Sequence, residues 1–142
     1  MEVRVSAHTA YKLMYHVIWV CKYRRRILKP GVCGYIKKLL NGLLRSMAGV
    51  EIERIGFDKD YLHIVMIIPP KYVISDVIGQ LKSQSSSQLR KKFDWLEKVH
   101  WKENIVWSPG YFVSSVGIDE EVIRNYVDYQ GRQDSEQLRL QL

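Results

Sequence analysis

The chain has 142 residues, 46% hydrophobic and 26% charged, which suits one globular domain and leaves too little length for a second independent core. Its 22 lysines and arginines against 15 aspartates and glutamates give a formal net charge of +7, a bias that costs self-repulsion and is matched by a polyanionic partner, nucleic acid first. Apolar runs such as residues 64–68 fall far short of the roughly 20 residues of a spanning helix, no signal-peptide pattern opens the chain, and Cys21 and Cys33 form neither a disulfide framework nor paired zinc spacing. The expectation is a cytoplasmic protein with reduced packing thiols and no membrane partner.

Residues 15–20 are aromatic and β-branched and predict a strand running into an exposed basic loop of Lys22, Tyr23, Arg24, Arg25 and Arg26, closed by Pro30 and Gly31. Between residues 32 and 48, Ile36, Leu39, Leu40, Leu43, Leu44 and Met47 fall at helical spacing, and Gly49 is a stop signal. Residues 50–57 and 61–68 are β-rich and separated by Asp58, Lys59 and Asp60, the pattern of a hairpin ended by Pro69 and Pro70. Ile74, Val77, Ile78 and Leu81 repeat at i, i+3, i+4 and i+7 and predict a helix reaching Phe93, with Ser75 as its candidate cap and Lys82, Arg90, Lys91 and Lys92 on a basic outer face.

Residues 94–109 are weakly periodic, with a short strand expected at 104–107, and residues 110–117 predict another strand. Asp119 followed by Glu120 and Glu121 marks the N-terminus of a last helix covering about residues 120–133, with acidic side chains at the positive end of its dipole. The order strand, helix, strand, strand, helix, strand, helix matches the split βαβ arrangement of ferredoxin-like folds. An α+β antiparallel sheet with helices on one face, plus the C-terminal helix, is therefore expected for residues 1–142 as one domain.

In the predicted strand, Tyr61 and His63 project from one face because i and i+2 do so. On the last helix, Tyr126 and Gln130 are four residues apart and share a face. Read in isolation, His63 is a hydrogen-bonded structural residue, Tyr126 a core tyrosine and Gln130 a solvated amide.

Five segments in order and at matching spacing carry more than that: YHVIWVCKYRR at 15–25, DYLHIVMIIPPK at 60–71, LKSQSS at 81–86, WSPGYFVSSVG at 107–117 and YVDYQ at 126–130. Through them the chain resembles the insertion-sequence-200-like transposases, the single-tyrosine HUH group. The resemblance implies a DNA transposase that cleaves and rejoins single-stranded DNA at insertion-sequence ends through a 5′-phosphotyrosine. Tyr126 matches the nucleophile, and His63 and Gln130 match ligands of a divalent metal, Mg²⁺ or Mn²⁺. The first histidine of the family's pair is replaced by Tyr61, whose neutral phenol is a poor ligand at an unperturbed pKa of about 10.

In the ferredoxin-like strand order the first strand lies beside the one carrying His63, which makes His16 a candidate substitute. The resemblance further implies a homodimer acting on hairpin ends. Lys22, Tyr23, Arg24, Arg25, Arg26, Lys82, Arg90 and Lys91 are the expected DNA contacts, basic groups on phosphates and Tyr23 on an unpaired base. Two other readings stay open: a degenerate or domesticated copy that binds hairpins without cutting, as Tyr61 would permit, and an RNA-recognition module, for which Gly110, Tyr111, Phe112 and Val113 give only a faint aromatic signature.

Overall fold

The strand β3 (Met14–Val20) and its partner β5 (Tyr61–Ile67) form the centre of the fold because β-branched and aromatic side chains suit a surface buried on both faces. The computed structural model describes residues 4–5, 10–11, 13–99, 105–115 and 117–141, with only the backbone at 4–5, 10–11, 99 and 138–141. β4 (Glu51–Phe57) and β6 (Phe112–Ser114) flank the central pair, giving a four-stranded antiparallel sheet in the order β4, β5, β3, β6. This is the ferredoxin-like order expected. β1 (Arg4–Val5) and β2 (Ala10–Tyr11) form a separate small ladder that the sequence pattern did not announce.

Register fixes what faces what. Val17 lies opposite Ile64 and Trp19 opposite Leu62, and these residues with Met66 point into the main core. Helix α1 (Pro30–Leu43) covers that core with Val32, Ile36 and Leu40, and helix α2 (Ile74–Lys92) adds Val77, Ile78, Leu81 and Leu89. Pro30 at the first helical position of α1 forfeits no hydrogen bond, since that N–H lacks a partner in any helix. A 3₁₀ turn, Leu44–Ser46, ends the helix, and Gly49 then adopts φ +87°, a conformation that disfavours any side chain.

Several expectations change in detail. Ser75 does not cap α2: the cap position is Val73, which offers no side-chain hydrogen bond. A short helix, α3 (Trp95–Val99), occupies part of the weakly periodic stretch. The strand expected at 104–107 contracts to a single bridge between Trp107 and Cys21, with Asn104 outside the described residues. The strand expected at 110–117 keeps three residues, Val116 lying outside the described set.

Helix α4 (Glu120–Gln141) starts where expected, Asp119 Oδ1 accepting from the Val122 N–H at 3.0 Å, but runs eight residues beyond position 133. It packs on β3 and on the 3₁₀ turn Lys22–Arg24. The residues of β3 and β5 that point away from the main core are His16, Ile18 and Val20, and Tyr61, His63 and Val65. No helix among the described residues is long and apolar enough to cross a membrane.

Candidate active site

The sheet face opposite the main core carries two imidazoles. His63 on β5 lies opposite Ile18, and His16 on β3 lies opposite Val65, so the two histidines are diagonal neighbours on one face. His16 Nδ1 and His63 Nε2 are 3.2 Å apart, with ring centroids at 5.4 Å and planes tilted by 32°. One ring donates and the other accepts, the roles being set by which nitrogen of each ring carries the proton. Burial holds His63 below the ordinary imidazole range, and His16 and Arg54 push it the same way. Tyr61 shares this face; burial raises its phenol above the ordinary range, followed by the charge of Asp58 and a hydrogen bond to it. It stands there as a neutral phenol.

The tyrosine helix builds a second group of side chains. Tyr126, Gln130 and Asp134 recur at i, i+4 and i+8, one above the other on α4. The Tyr126 hydroxyl donates to Gln130 Oε1 at 3.2 Å, and Gln130 Nε2 donates to Asp134 Oδ1 at 3.2 Å. Asp134 is fully buried and also accepts from the Ser108 hydroxyl and from the Tyr23 backbone N–H at 2.9 Å, with the Lys22 ammonium 3.6 Å away. Burial first, and then the charge of Asp134, raises the Tyr126 phenol well above its ordinary range.

Gly110 leaves room for this row. A Cβ there would lie 2.7 Å from Gln130 Oε1 and 3.4 Å from the Tyr126 hydroxyl. The Gly110 carbonyl is held from behind by Lys82, whose ammonium donates to the carbonyls of Ser108 and Gly110, each at 2.7 Å. Burial lowers the Lys82 pKa to about 8 against the opposing pull of Asp134.

Of the expected site residues, the structure brings Tyr126 together with Gln130, and His63 together with His16. Ile18 is the register partner of both His63 and Phe112, and the Tyr126 ring packs on Phe112 at 5.7 Å. The tyrosine therefore sits over the same sheet face as His63 but two strands across, about 10 Å in sheet spacing. Among the described residues no hydrogen bond joins Tyr126 or Gln130 to His63, and Gln130 spends its amide on Tyr126 and Asp134. No cluster of three or more His, Cys, Asp or Glu suited to a metal occurs among them.

The basic residues divide. Lys22, expected in an exposed loop, is 4% exposed and turned inward to Asp134 and Gln137. Lys82, expected on the outer face of α2, is 9% exposed and holds the two carbonyls. Arg24 bridges Asp60 at 3.0 Å and Asp128 at 2.9 Å, fastening the start of β5 to α4, and its stem crosses Gly131 where any Cβ would lie 2.5 Å from its Cδ. Tyr23 and Arg24 take left-handed backbone angles, φ 57° and 53°, to make this turn, and Lys22 and Arg25 lie over the Tyr23 ring. Arg90 is half-buried, while Arg25, Arg26, Lys91 and Lys92 are exposed.

Sequence reasoning missed Asp134, Ser108 and Gly110. The signal for Asp134 existed, since it stands four residues beyond Gln130 on the same helical face, but the expected helix stopped one residue short of it.

Known proteins resemble this chain in sequence and in fold. The sequence profile of the family described as transposase, IS200 like, matches residues 9–130. The transposase for insertion sequence element IS200 of Salmonella typhimurium strain LT2 is 31% identical over 131 residues, covering 90% of this chain and 83% of the relative. The ISDra2 transposase TnpA of Deinococcus radiodurans is 26% identical, covering 92% of each. Among solved structures, a Deinococcus radiodurans R1 protein described as a transposase aligns with a TM-score of 0.75 at 29% identity, covering 92% of this chain and 98% of the other. A REP-associated tyrosine transposase bound to a REP hairpin shares the fold at a TM-score of 0.53 and 15% identity, over 88% of this chain and 70% of the other. With a profile spanning most of its length and a relative at 31% identity, the chain belongs to the IS200-like transposase family.

Proposed function

We propose that this transposase cuts and rejoins single-stranded DNA at insertion-sequence ends with Tyr126 as the nucleophile. The observation that carries this reading is the hydrogen bond from the Tyr126 hydroxyl to Gln130, on a helix laid over the sheet face that bears His63. The phenol oxygen attacks a phosphodiester phosphorus and loses its proton; the bond to the 3′ oxygen breaks, leaving a 5′-phosphotyrosine and a free 3′-hydroxyl. Rejoining is the same exchange in reverse, and the covalent intermediate conserves the bond energy, so no nucleotide cofactor is needed.

Burial and Asp134 keep the phenol protonated in the arrangement seen, so ionisation belongs to the DNA-bound complex. The donor set fits a divalent metal such as Mg²⁺ or Mn²⁺: His63 offers a nitrogen held near neutrality of charge by its lowered pKa, Gln130 a hard amide oxygen, and the neutral Tyr61 at most a weak oxygen. When bound, such an ion supplies charge neutralisation and alignment at a phosphoryl oxygen. Gln130 and His63 meet either by a shift of α4 or across a homodimer, in which the helix of one protomer serves its partner. Arg25, Arg26 and Lys91 grip phosphates, and Tyr23 offers an aromatic surface to an unpaired base.

Incubating the protein with single-stranded DNA spanning the element ends, with Mn²⁺ or Mg²⁺, tests the reading. A covalent protein–DNA adduct is expected from the wild type and none from Tyr126→Phe, while both bind the DNA. Binding without an adduct in either protein supports the second reading, a domesticated hairpin-binding copy, which the neutral phenol at the first histidine position favours.

A further inference from the structure

We propose that His16 is a metal-ligating residue in this chain, supplying across the β3–β5 ladder the second imidazole that position 61 no longer provides. The inference rests on the reading that a divalent metal sits at His63. Its basis is the separation of His16 Nδ1 and His63 Nε2, 3.2 Å. Two imidazole nitrogens bound side by side to one first-row ion, with bonds of about 2.1 Å, lie roughly 3.0–3.4 Å apart. The observed spacing falls in that interval with both strands locked in register, His16 opposite Val65 and His63 opposite Ile18. No backbone movement is required.

The chemistry of the exchange is simple. In the hydrogen-bonded pair one ring donates its N–H to the other. When both nitrogens turn to a cation, the donating ring moves its proton to its other nitrogen, and neither imidazole changes charge. Tyr61 shares the sheet face but brings only a phenol oxygen, whereas a pair of imidazoles suits borderline first-row ions such as Co²⁺ and Ni²⁺. The two-nitrogen donor set is thus retained by relocation: the second imidazole comes not from two residues before His63 on β5 but from the diagonal position on β3, opposite Val65.

The test is titration of the full-length protein with Co²⁺, followed by visible absorption and calorimetry, with circular dichroism to confirm that each variant is folded. Wild type is expected to bind one ion per chain. His16→Ala and His63→Ala are each expected to weaken binding by at least about 10-fold, a lower bound set by what loss of a mere supporting hydrogen bond costs. Tyr61→Phe is expected to bind as wild type, and the double variant His16→Ala/Tyr61→His to regain wild-type affinity and spectrum, which a structural role for His16 would not produce. Undiminished binding in His16→Ala together with loss in His63→Ala overturns the inference and leaves the metal reading at His63 standing. Loss in Tyr61→Phe, or failure of the double variant to recover, overturns the relocation. Absence of Co²⁺ binding in the wild type overturns both the inference and the metal reading beneath it.

Discussion

Lys82 carries its charge where the fold least favours it. Burial lowers its pKa from 10.5 to about 8, yet the amine still faces two carbonyl acceptors that a neutral –NH₂ satisfies with its two remaining hydrogens. Because the folded pKa lies below the unfolded one, the associated stability is complete above pH 10.5 and is lost as the pH falls through about 8. Denaturant titrations should therefore show wild type gaining on Lys82→Met as the pH rises across that window, by at most about 3 kcal/mol. A difference between the two proteins that stays constant over the window would contradict this account.

The same residue shows where sequence reasoning ends. Its place on a basic helix face was legible, but its inward turn depends on carbonyls 26 and 28 residues away. Tyr61 and His63 were legible as a same-face pair because strand periodicity alone sets that relation. The approach of His16 to within 3.2 Å required the strand order as well as the spacing.

At the scale of elements, α4 is the part on which the proposed chemistry turns, and Asp134 anchors it. That carboxylate ties the helix to Ser108, to the Tyr23 backbone and to the buried Lys22. Removing one member of a buried ion pair leaves the other uncompensated, so Asp134→Ala should cost about 3–5 kcal/mol in urea unfolding. Adding Lys22→Met should recover part of that loss; a double variant no more stable than Asp134→Ala alone would show that Lys22 is not the partner that matters.

The central strands, α1 and α2 were readable because their apolar residues keep a period of two or of 3.6 along the chain. Residues 134–141 have no comparable apolar face, and their helix is held by Asp134 and Gln137 reaching Lys22, contacts more than a hundred residues apart in sequence. Ser75 imitated a cap because serine near a helix start is a common signal, but the chain enters α2 at Val73. Of the strand expected at 110–117, only Phe112–Ser114 pairs with β3, opposite Ile18, Val17 and His16.

For the whole molecule, the formal charge of +7 is divided between internal and external work. Lys22 and Lys82 serve the interior and Arg24 clamps α4, so the proposed contact with DNA falls to the exposed Arg25, Arg26 and Lys91. Affinity for single strands should fall with salt, and Arg25→Ala and Arg26→Ala should each flatten the logarithmic slope by about 0.7. Lys22→Met should leave that slope unchanged, because its charge already faces Asp134. A larger change for Lys22→Met than for the two arginine variants would reverse the assignment.

The proposed chemistry depends on which phenol oxygen receives the DNA. Tyr129 is three residues further along α4 and 51% exposed, whereas Tyr126 is half-buried and bonded to Gln130, so accessibility and the proposed chemistry point to different tyrosines. Proteolysis of the covalent adduct followed by mass spectrometry of the nucleotide-bearing peptide separates them. The expected result is a 5′-phosphate carried on Tyr126; a nucleotide on Tyr129 or Tyr61 would contradict the account.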